Sequence, residues 1–221
     1  AAGVSIHVDK RIPISVGMAG GSADAAAALV ACNQLWGLGL TLEQLCQIGR
    51  TMGADVPACI MGGMTLGQGR GDRLTSLLDP DQSLWPCHYW VMARAHHGLS
   101  TPEVFRTLDQ LREGGVPAQL SDAERHALCS DADTLASVLC NDLTAPALHL
   151  YPELATTIHD AKGAGACAAI LSGSGPTIAV LARDSKHAGE LAEALGTSSE
   201  VSAVLPTSGP AVGAIVEEEE S

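Results

Sequence analysis

The sequence predicts an α+β fold, and three observations carry that prediction. Helical and strand patterns alternate along the chain without the regular strand–helix–strand order of a parallel sheet. Hydrophobic residues make up 46% of the 221 positions, enough for a folded core, yet no apolar run is long enough to span a membrane. A polar stretch with two prolines, Asp79 to Pro86, is the best linker and divides the chain in two.

Val4 to Ile14 alternates as a strand, with Val4, Ile6 and Val8 on one face. A glycine-rich turn follows, in which Gly17, Gly20 and Gly21 are free to take positive φ. Ser22 suits an N-cap and Asp24 falls in the first turn of an alanine-rich helix over about 22–36, ending before Gly37. Ala26, Leu29, Val30 and Asn33 lie near one side of it. Thr41-Leu-Glu-Gln44 fits a capping box, so a second helix runs from Leu42 to Met52 and stops at Gly53. Met64 to Gly71 reads as a strand pair or turn. Beyond the linker, Tyr89 to Ala93 reads as a strand, Thr101 to Glu113 as a helix, Gly114 to Ser121 as a loop, and about 122–140 as further helix. Pro152 to Ala164 is helical. Ala168 to Leu171 and Thr177 to Ala182 form a hairpin across Gly173 to Pro176; Ser185 to Leu195 is the next helix and Val201 to Leu205 a late strand.

Composition bounds the function. A net charge of −13 argues against nucleic-acid binding, which rests on Lys and Arg neutralising phosphates. Seven cysteines without a Cys-x-x-Cys pair, and no secretory pattern, suggest reduced thiols in a cytoplasmic protein. Cys32, Cys46, Cys59 and Cys167 read as small core residues. His96 and His97 are adjacent, so their side chains diverge in a strand, and no zinc site is expected. Neither membrane nor nucleic-acid partners are expected; the state is a monomer or homodimer. Glu217 to Glu220 form an acidic tail.

The chemistry concentrates at Gly17 to Ser22. A helix start with unpaired N–H groups and the positive dipole end favours an anion, phosphate above all. The segment is not a P-loop, since no lysine follows Gly21, and it lacks the dinucleotide fingerprint Gly-x-Gly-x-x-Gly. A tight turn that binds nothing is the alternative. Lys10, Arg11, Arg70 and Arg73 are the cations available to offset a phosphate, or are solvated surface charges. Asp55, after a helix-ending glycine, is either a carboxylate poised to accept a hydroxyl proton or a cap on neighbouring backbone N–H groups. Phe105, the only phenylalanine, is either a stacking platform or a core aromatic of its helix.

Six ordered blocks carry a family resemblance. Val4-Ser-Ile-His-Val-Asp-Lys-Arg-Ile-Pro-Ile14 with the glycine loop, Gly53-Ala-Asp-Val-Pro57, Gly62-Gly-Met-Thr-Leu-Gly-Gln-Gly-Arg-Gly-Asp72 and Ser100-Thr-Pro-Glu-Val-Phe-Arg106 are followed by Asn141-Asp-Leu-Thr-Ala-Pro-Ala147 and Leu171-Ser-Gly-Ser-Gly-Pro-Thr177. Together they resemble the GHMP kinase superfamily, most closely its isoprenoid-precursor branch that phosphorylates a hydroxyl of a cytidine-diphosphate-linked methylerythritol. The resemblance implies an N-terminal ATP-binding α/β domain at 1–78, a ferredoxin-like C-terminal domain at 87–216 and an acidic tail at 217–221. It implies ATP and Mg2+, with Gly17, Met18, Ala19, Gly20, Gly21, Ser22 and Ala23 around the phosphates and Ser22 nearest the β/γ oxygens or magnesium. Relatives commonly have Gly-Leu-Gly-Gly-Gly-Ser where this chain has Gly17-Met-Ala-Gly-Gly-Ser22, so Ala19 restricts an angle that glycine leaves free.

The resemblance also makes Asp55 the catalytic aspartate, sets Phe105 and Thr101 at the cytosine end of the substrate, and brings Gly173, Ser174 and Thr177 toward phosphate in a third loop. No metal site built by the protein alone is implied. The family's lysine motif, which precedes the phosphate loop, has no counterpart here, so the expectation is that the 221-residue chain alone lacks turnover. A non-catalytic binding remnant and a GHMP kinase for mevalonate or homoserine derivatives are the competing readings.

Overall fold

The computed structural model describes residues 3–13, 17–77, 86–112 and 120–217. The described helices and strands fall into two compact units: residues 1–14, 19–85 and 210–221 in the first, residues 15–18 and 86–209 in the second. The sequence division at 78 and 87 therefore differs in two places. Gly17 and Met18 group with the second unit, and the segment after Gly209 returns to the first. The proposed linker 79–86 lies, except for Pro86, outside the described residues.

In the first unit, α1 (Gly20–Leu35), α2 (Leu42–Met52) and α3 (Val56–Met61) pack around Ala26, Leu45, Cys46, Val56 and Ile60. The capping box forms as the sequence dictates: the Gln44 N–H donates to the Thr41 hydroxyl and the Thr41 N–H donates to the Gln44 side chain. Glycine lets α2 and α3 approach, since a Cβ at Gly49 would meet Val56 at 2.9 Å. A hairpin, β1 (Thr65–Gln68) with β2 (Arg73–Ser76), follows α3. The returning segment pairs with the end of α3: the Gly63 N–H donates to the Ala211 carbonyl (2.7 Å) and the Ala214 N–H to the Cys59 carbonyl (2.9 Å). The strand expected over Val4–Ile14 is absent from residues 3–13, which find no strand partner among the described residues. Alternation prepares a segment for a sheet, but only pairing makes it a strand.

The second unit is built on a four-stranded antiparallel sheet in the order β4–β5–β3–β6, with β3 at His88–Arg94, β4 at Ala168–Leu171, β5 at Ile178–Ala182 and β6 at Ala203–Gly209. Helices α4 (Thr101–Leu111), α5 (Asp122–Leu128), α6 (Ala132–Val138), α7 (Thr144–Leu150) and α8 (Leu154–Gly163) lie between β3 and β4, and α9 (Ser185–Leu195) lies between β5 and β6. This is the ferredoxin-like split βαβ arrangement, as the family resemblance implied. Its core joins Val91, Ile178 and Val180 of the sheet to Leu154, Leu191 and Leu195 of α8 and α9.

Several boundaries move. The helix expected over 122–140 is two, because Asp131 caps a new start at the Thr134 N–H (2.9 Å). Helices α3 and α7 have no counterpart in the sequence reading; each is short and carries an internal proline that reads as a breaker. The loop expected from Gly114 falls outside the described residues as far as residue 119.

Candidate active site

In the first unit lie Ala19 to Ala23 and Asp55. Helix α1 begins at Gly20, two residues before the expected start, and its N-cap is Ala19 in the left-handed region (φ 50°). Ser22 is therefore in the first turn rather than the cap, and Asp24 lies beyond that turn. Gly17 has the expected positive φ (73°), but Gly20 and Gly21 are helical. Their role is space. A Cβ at Gly20 would meet Ile12 at 2.8 Å and the Lys10 ammonium at 3.0 Å, whereas Gly21 faces nothing within 4 Å. The first intrahelical bond of this turn runs from the Ala23 N–H to the Ala19 carbonyl (3.0 Å), and no side chain among the described residues caps the helix. Among the described residues the Gly20, Gly21 and Ser22 N–H groups meet no acceptor, which leaves them to an external one.

Lys10 extends this positive surface. Its ammonium pairs with Asp24 at 2.6 Å and lies beside Gly20. The other three candidate cations do less here. Arg11 and Arg70 pair with the carboxylates of Asp9 and Asp72, and Arg73 lies against Gly69 in the hairpin. The Arg70 guanidinium holds Asp72 below the ordinary carboxylate range.

Asp55 occupies the junction between α2 and α3. Its backbone is ordinary αR (φ −86°, ψ −12°), so the strain suggested by Val-Pro is absent; Pro57 simply sits in the first turn of α3. Although Asp55 is the N-cap residue, its side chain makes no cap hydrogen bond, and it is exposed. That removes the capping alternative. The same turn lies against the start of α1: a Cβ at Gly53 would come within 4.0 Å of the Ser22 hydroxyl oxygen. Burial, and after it the Asp55 carboxylate, keep the Cys59 thiol protonated above its usual range.

In the second unit lie Gly17, Met18, Thr101, Phe105, Gly173 and Ser174. Gly17 is pressed against the third loop, where a Cβ would lie 2.4 Å from the Ser172 carbonyl and 2.8 Å from that of Gly175. The Ser172 hydroxyl donates to the Gly17 carbonyl (2.8 Å). Ser174 and Thr101 share a hydroxyl–hydroxyl hydrogen bond of 2.7 Å, tying the loop to the start of α4. Phe105 stands 49% exposed on α4, whose buried residues are Val104 and Thr107. The core alternative for Phe105 therefore fails. Thr177 is fully buried, and its hydroxyl has no hydrogen-bond partner among the described residues.

The paired histidines serve the second unit's own packing. His96 contacts the Ser199 carbonyl (3.0 Å) and His97 meets the Tyr151 ring at 6.2 Å. Sequence reasoning missed Asn141 and Ser172, the side chains that hold the third loop. The signal available was an Asn-Asp pair and a serine among glycines, residue types that usually mark local turns.

Residues 2–63 match the GHMP kinases N terminal domain, and residues 120–200 match the GHMP kinases C terminal domain. A 4-diphosphocytidyl-2-C-methyl-D-erythritol kinase of Nocardia farcinica is 46% identical over 99% of this chain and 70% of its own length. One from Streptomyces coelicolor is 48% identical over 80% of this chain, which here spans 58% of the relative. A solved 4-(cytidine 5'-diphospho)-2C-methyl-D-erythritol kinase superposes with a TM-score of 0.73 at 30% identity, covering 90% of this chain and 68% of that one. A mevalonate kinase from L. major gives 0.68 at 19% identity, a likeness of fold alone. No helix among the described residues is long and apolar enough to cross a membrane.

Proposed function

Because the chain belongs to the GHMP kinases, and within them to the 4-diphosphocytidyl-2-C-methyl-D-erythritol kinase family, we propose that it serves ATP-dependent phosphorylation of the 2-hydroxyl of 4-diphosphocytidyl-2-C-methyl-D-erythritol. The observation that carries this reading is the uncapped start of α1 set against the exposed, uncapped carboxylate of Asp55. One feature receives phosphate and the other receives a proton.

The N–H groups of Gly20, Gly21 and Ser22 bind the nucleotide's phosphate oxygens, and the Lys10 ammonium adds charge beside them. The Ser22 hydroxyl is an oxygen donor of the type that a hard cation takes, and would hold the magnesium that accompanies ATP. The substrate hydroxyl oxygen attacks the γ-phosphorus, the bond to the β–γ bridging oxygen breaks, and ADP leaves. Asp55 orients the hydroxyl and accepts its proton. Phe105 offers an exposed ring for the cytosine base and Thr101 a hydroxyl beside it. Cytoplasmic location, and a monomer or homodimer, complete the proposal.

Asp55→Asn tests it. The substitution preserves shape and removes the proton acceptor, so kcat for ADP release should fall by about 10²–10⁴-fold while magnesium–ATP affinity stays within about threefold. Unchanged turnover removes Asp55 from the chemistry.

A further inference from the structure

Asn141 has no place in the reaction described above, yet its side chain has every polar atom engaged. Its Nδ2 donates to two carbonyls, Leu171 at 2.9 Å and Gly173 at 2.8 Å, and its Oδ1 accepts from the Leu143 N–H at 2.9 Å. The two carbonyls bracket Ser172. The third loop is closed further by the Gly175 N–H donating to the Ser172 carbonyl (2.8 Å) and the Ser172 N–H donating to the Thr177 carbonyl (2.9 Å).

Ser172 then reaches across 155 positions of sequence to the Gly17 carbonyl, while the same loop leaves no room for any side chain on Gly17. Helix α4 is tied to this assembly at both ends. Thr101 bonds Ser174 at its start, and Arg112, just past its end, pairs with the carboxylate of Asp142, the residue after Asn141. We propose that Asn141 is a positioning residue of the phosphate-loop segment: it fixes the Ser172–Gly175 loop, and through the Ser172 hydroxyl it fixes that segment at Gly17.

The physical case rests on which groups are available. A glycine-rich loop has little intrinsic conformational preference, so its geometry must be imposed by neighbours. Here two carbonyls of the third loop are held by one amide, and the next carbonyl along the chain of contacts, that of Gly17, is held by one hydroxyl. Gly17 lies two residues before Ala19 in the sequence, in the limb that leads into the phosphate-loop segment. Only an amide supplies two donors and one acceptor at that point; a carboxylate of the same shape keeps the acceptor for Leu143 and loses both donors.

This inference rests on the kinase reading for its consequence, but its first test does not. Amide hydrogen exchange is measured on the wild-type chain, Asn141→Asp, Ser172→Ala and the double variant, without nucleotide. The expected result is exchange about fivefold faster at the Ser172 and Gly175 amides, whose hydrogen bonds close the third loop, in each variant, one hydrogen bond's worth, with 88–94 and 178–182 of the sheet unchanged. The double variant should be no faster at these amides than the quicker single one, since both act through one contact.

With magnesium–ATP added, the affinity of each variant should fall by about fivefold, and the KM for ATP should rise by more than kcat falls. Exchange at the Ser172 and Gly175 amides at the wild-type rate in Asn141→Asp overturns the proposal, and so does acceleration spread equally over the sheet, which marks a merely structural role. A wild-type protein that binds no magnesium–ATP counts against the kinase reading alone, because the exchange pattern still decides whether Asn141 holds the loop that grips Gly17.

Discussion

The two units bury apolar surface by different means. In the second, Ile178 and Val180 of β5 and Val91 of β3 are wholly buried between paired strands and the helices that cover them. In the first, the buried core is small, and Val4, Ile6 and Val8 stand 44–57% exposed. They line a groove of about 800 Å³ with Ala27, Ala31 and Leu35 of α1. Both regions carry the sequence signature of strands. The difference teaches that alternation states which residues could share a face, while burial is decided by whether a neighbour supplies the other half of the ladder.

Core truncation gives the largest contrast. Ile178→Ala should destabilise the second unit by about 2–5 kcal/mol, whereas Ile6→Ala should stay within about 0.5 kcal/mol, both read by denaturant unfolding. A cost at Ile6 comparable with that at Ile178 would show the first unit's apolar edge to be covered in solution and would break the comparison.

The phosphate loop offers a sharper test, since its glycines group with different units. Gly17→Ala forces a Cβ to within 2.4 Å of a carbonyl oxygen at a φ of 73°. It should cost about 1–3 kcal/mol of stability. Gly21→Ala adds a methyl to open space in a helical turn and should raise stability by roughly 0.5–1 kcal/mol. Equal shifts in Tm would mean that the two glycines serve one purpose, against the geometry.

The smallest effect concerns acid. In the second unit the Ser121 hydroxyl holds Glu124, and the Thr134 N–H holds Asp131, below the ordinary carboxylate range. A carboxylate depressed in the folded state contributes stability that is complete above its unfolded pKa and is lost as pH falls through the folded one. The wild type should therefore lose more stability below about pH 4 than Asp131→Asn, which keeps the cap without the charge. Identical acid profiles would show that these caps work by hydrogen bonding alone.

Much of this was legible in the sequence, for reasons specific to each place. The α2 capping box and the span of α9 were fixed by residues within the elements themselves: Thr41, Gln44 and Gly53 in one, and Asp184 before an apolar-periodic run in the other. The site residues were nameable because glycine loops and Gly-Ala-Asp-Val-Pro are local patterns. Where α1 begins was not legible, because Ala19 in the left-handed region breaks the preference of its residue type. Neither was the space that Gly20 needs, which is set by Lys10 and Ile12. Asn141 escaped notice for the same reason: its partners lie 30 and 32 residues away.

The central claim is that this site transfers phosphate to a cytidylyl-linked sugar alcohol, and substrate competition tests it most directly. ADP release is followed with 4-diphosphocytidyl-2-C-methyl-D-erythritol, mevalonate and homoserine, on this chain and on a version extended to the length of its relatives, each with Phe105 intact and as Phe105→Ala. The account predicts transfer to the cytidylyl substrate in preference to both others. It further predicts that Phe105→Ala lowers kcat/KM for that substrate by about 5–150-fold, the worth of one stacked base, without weakening ATP binding. Preferred transfer to mevalonate or homoserine, or indifference of the cytidylyl substrate to Phe105→Ala, would contradict it.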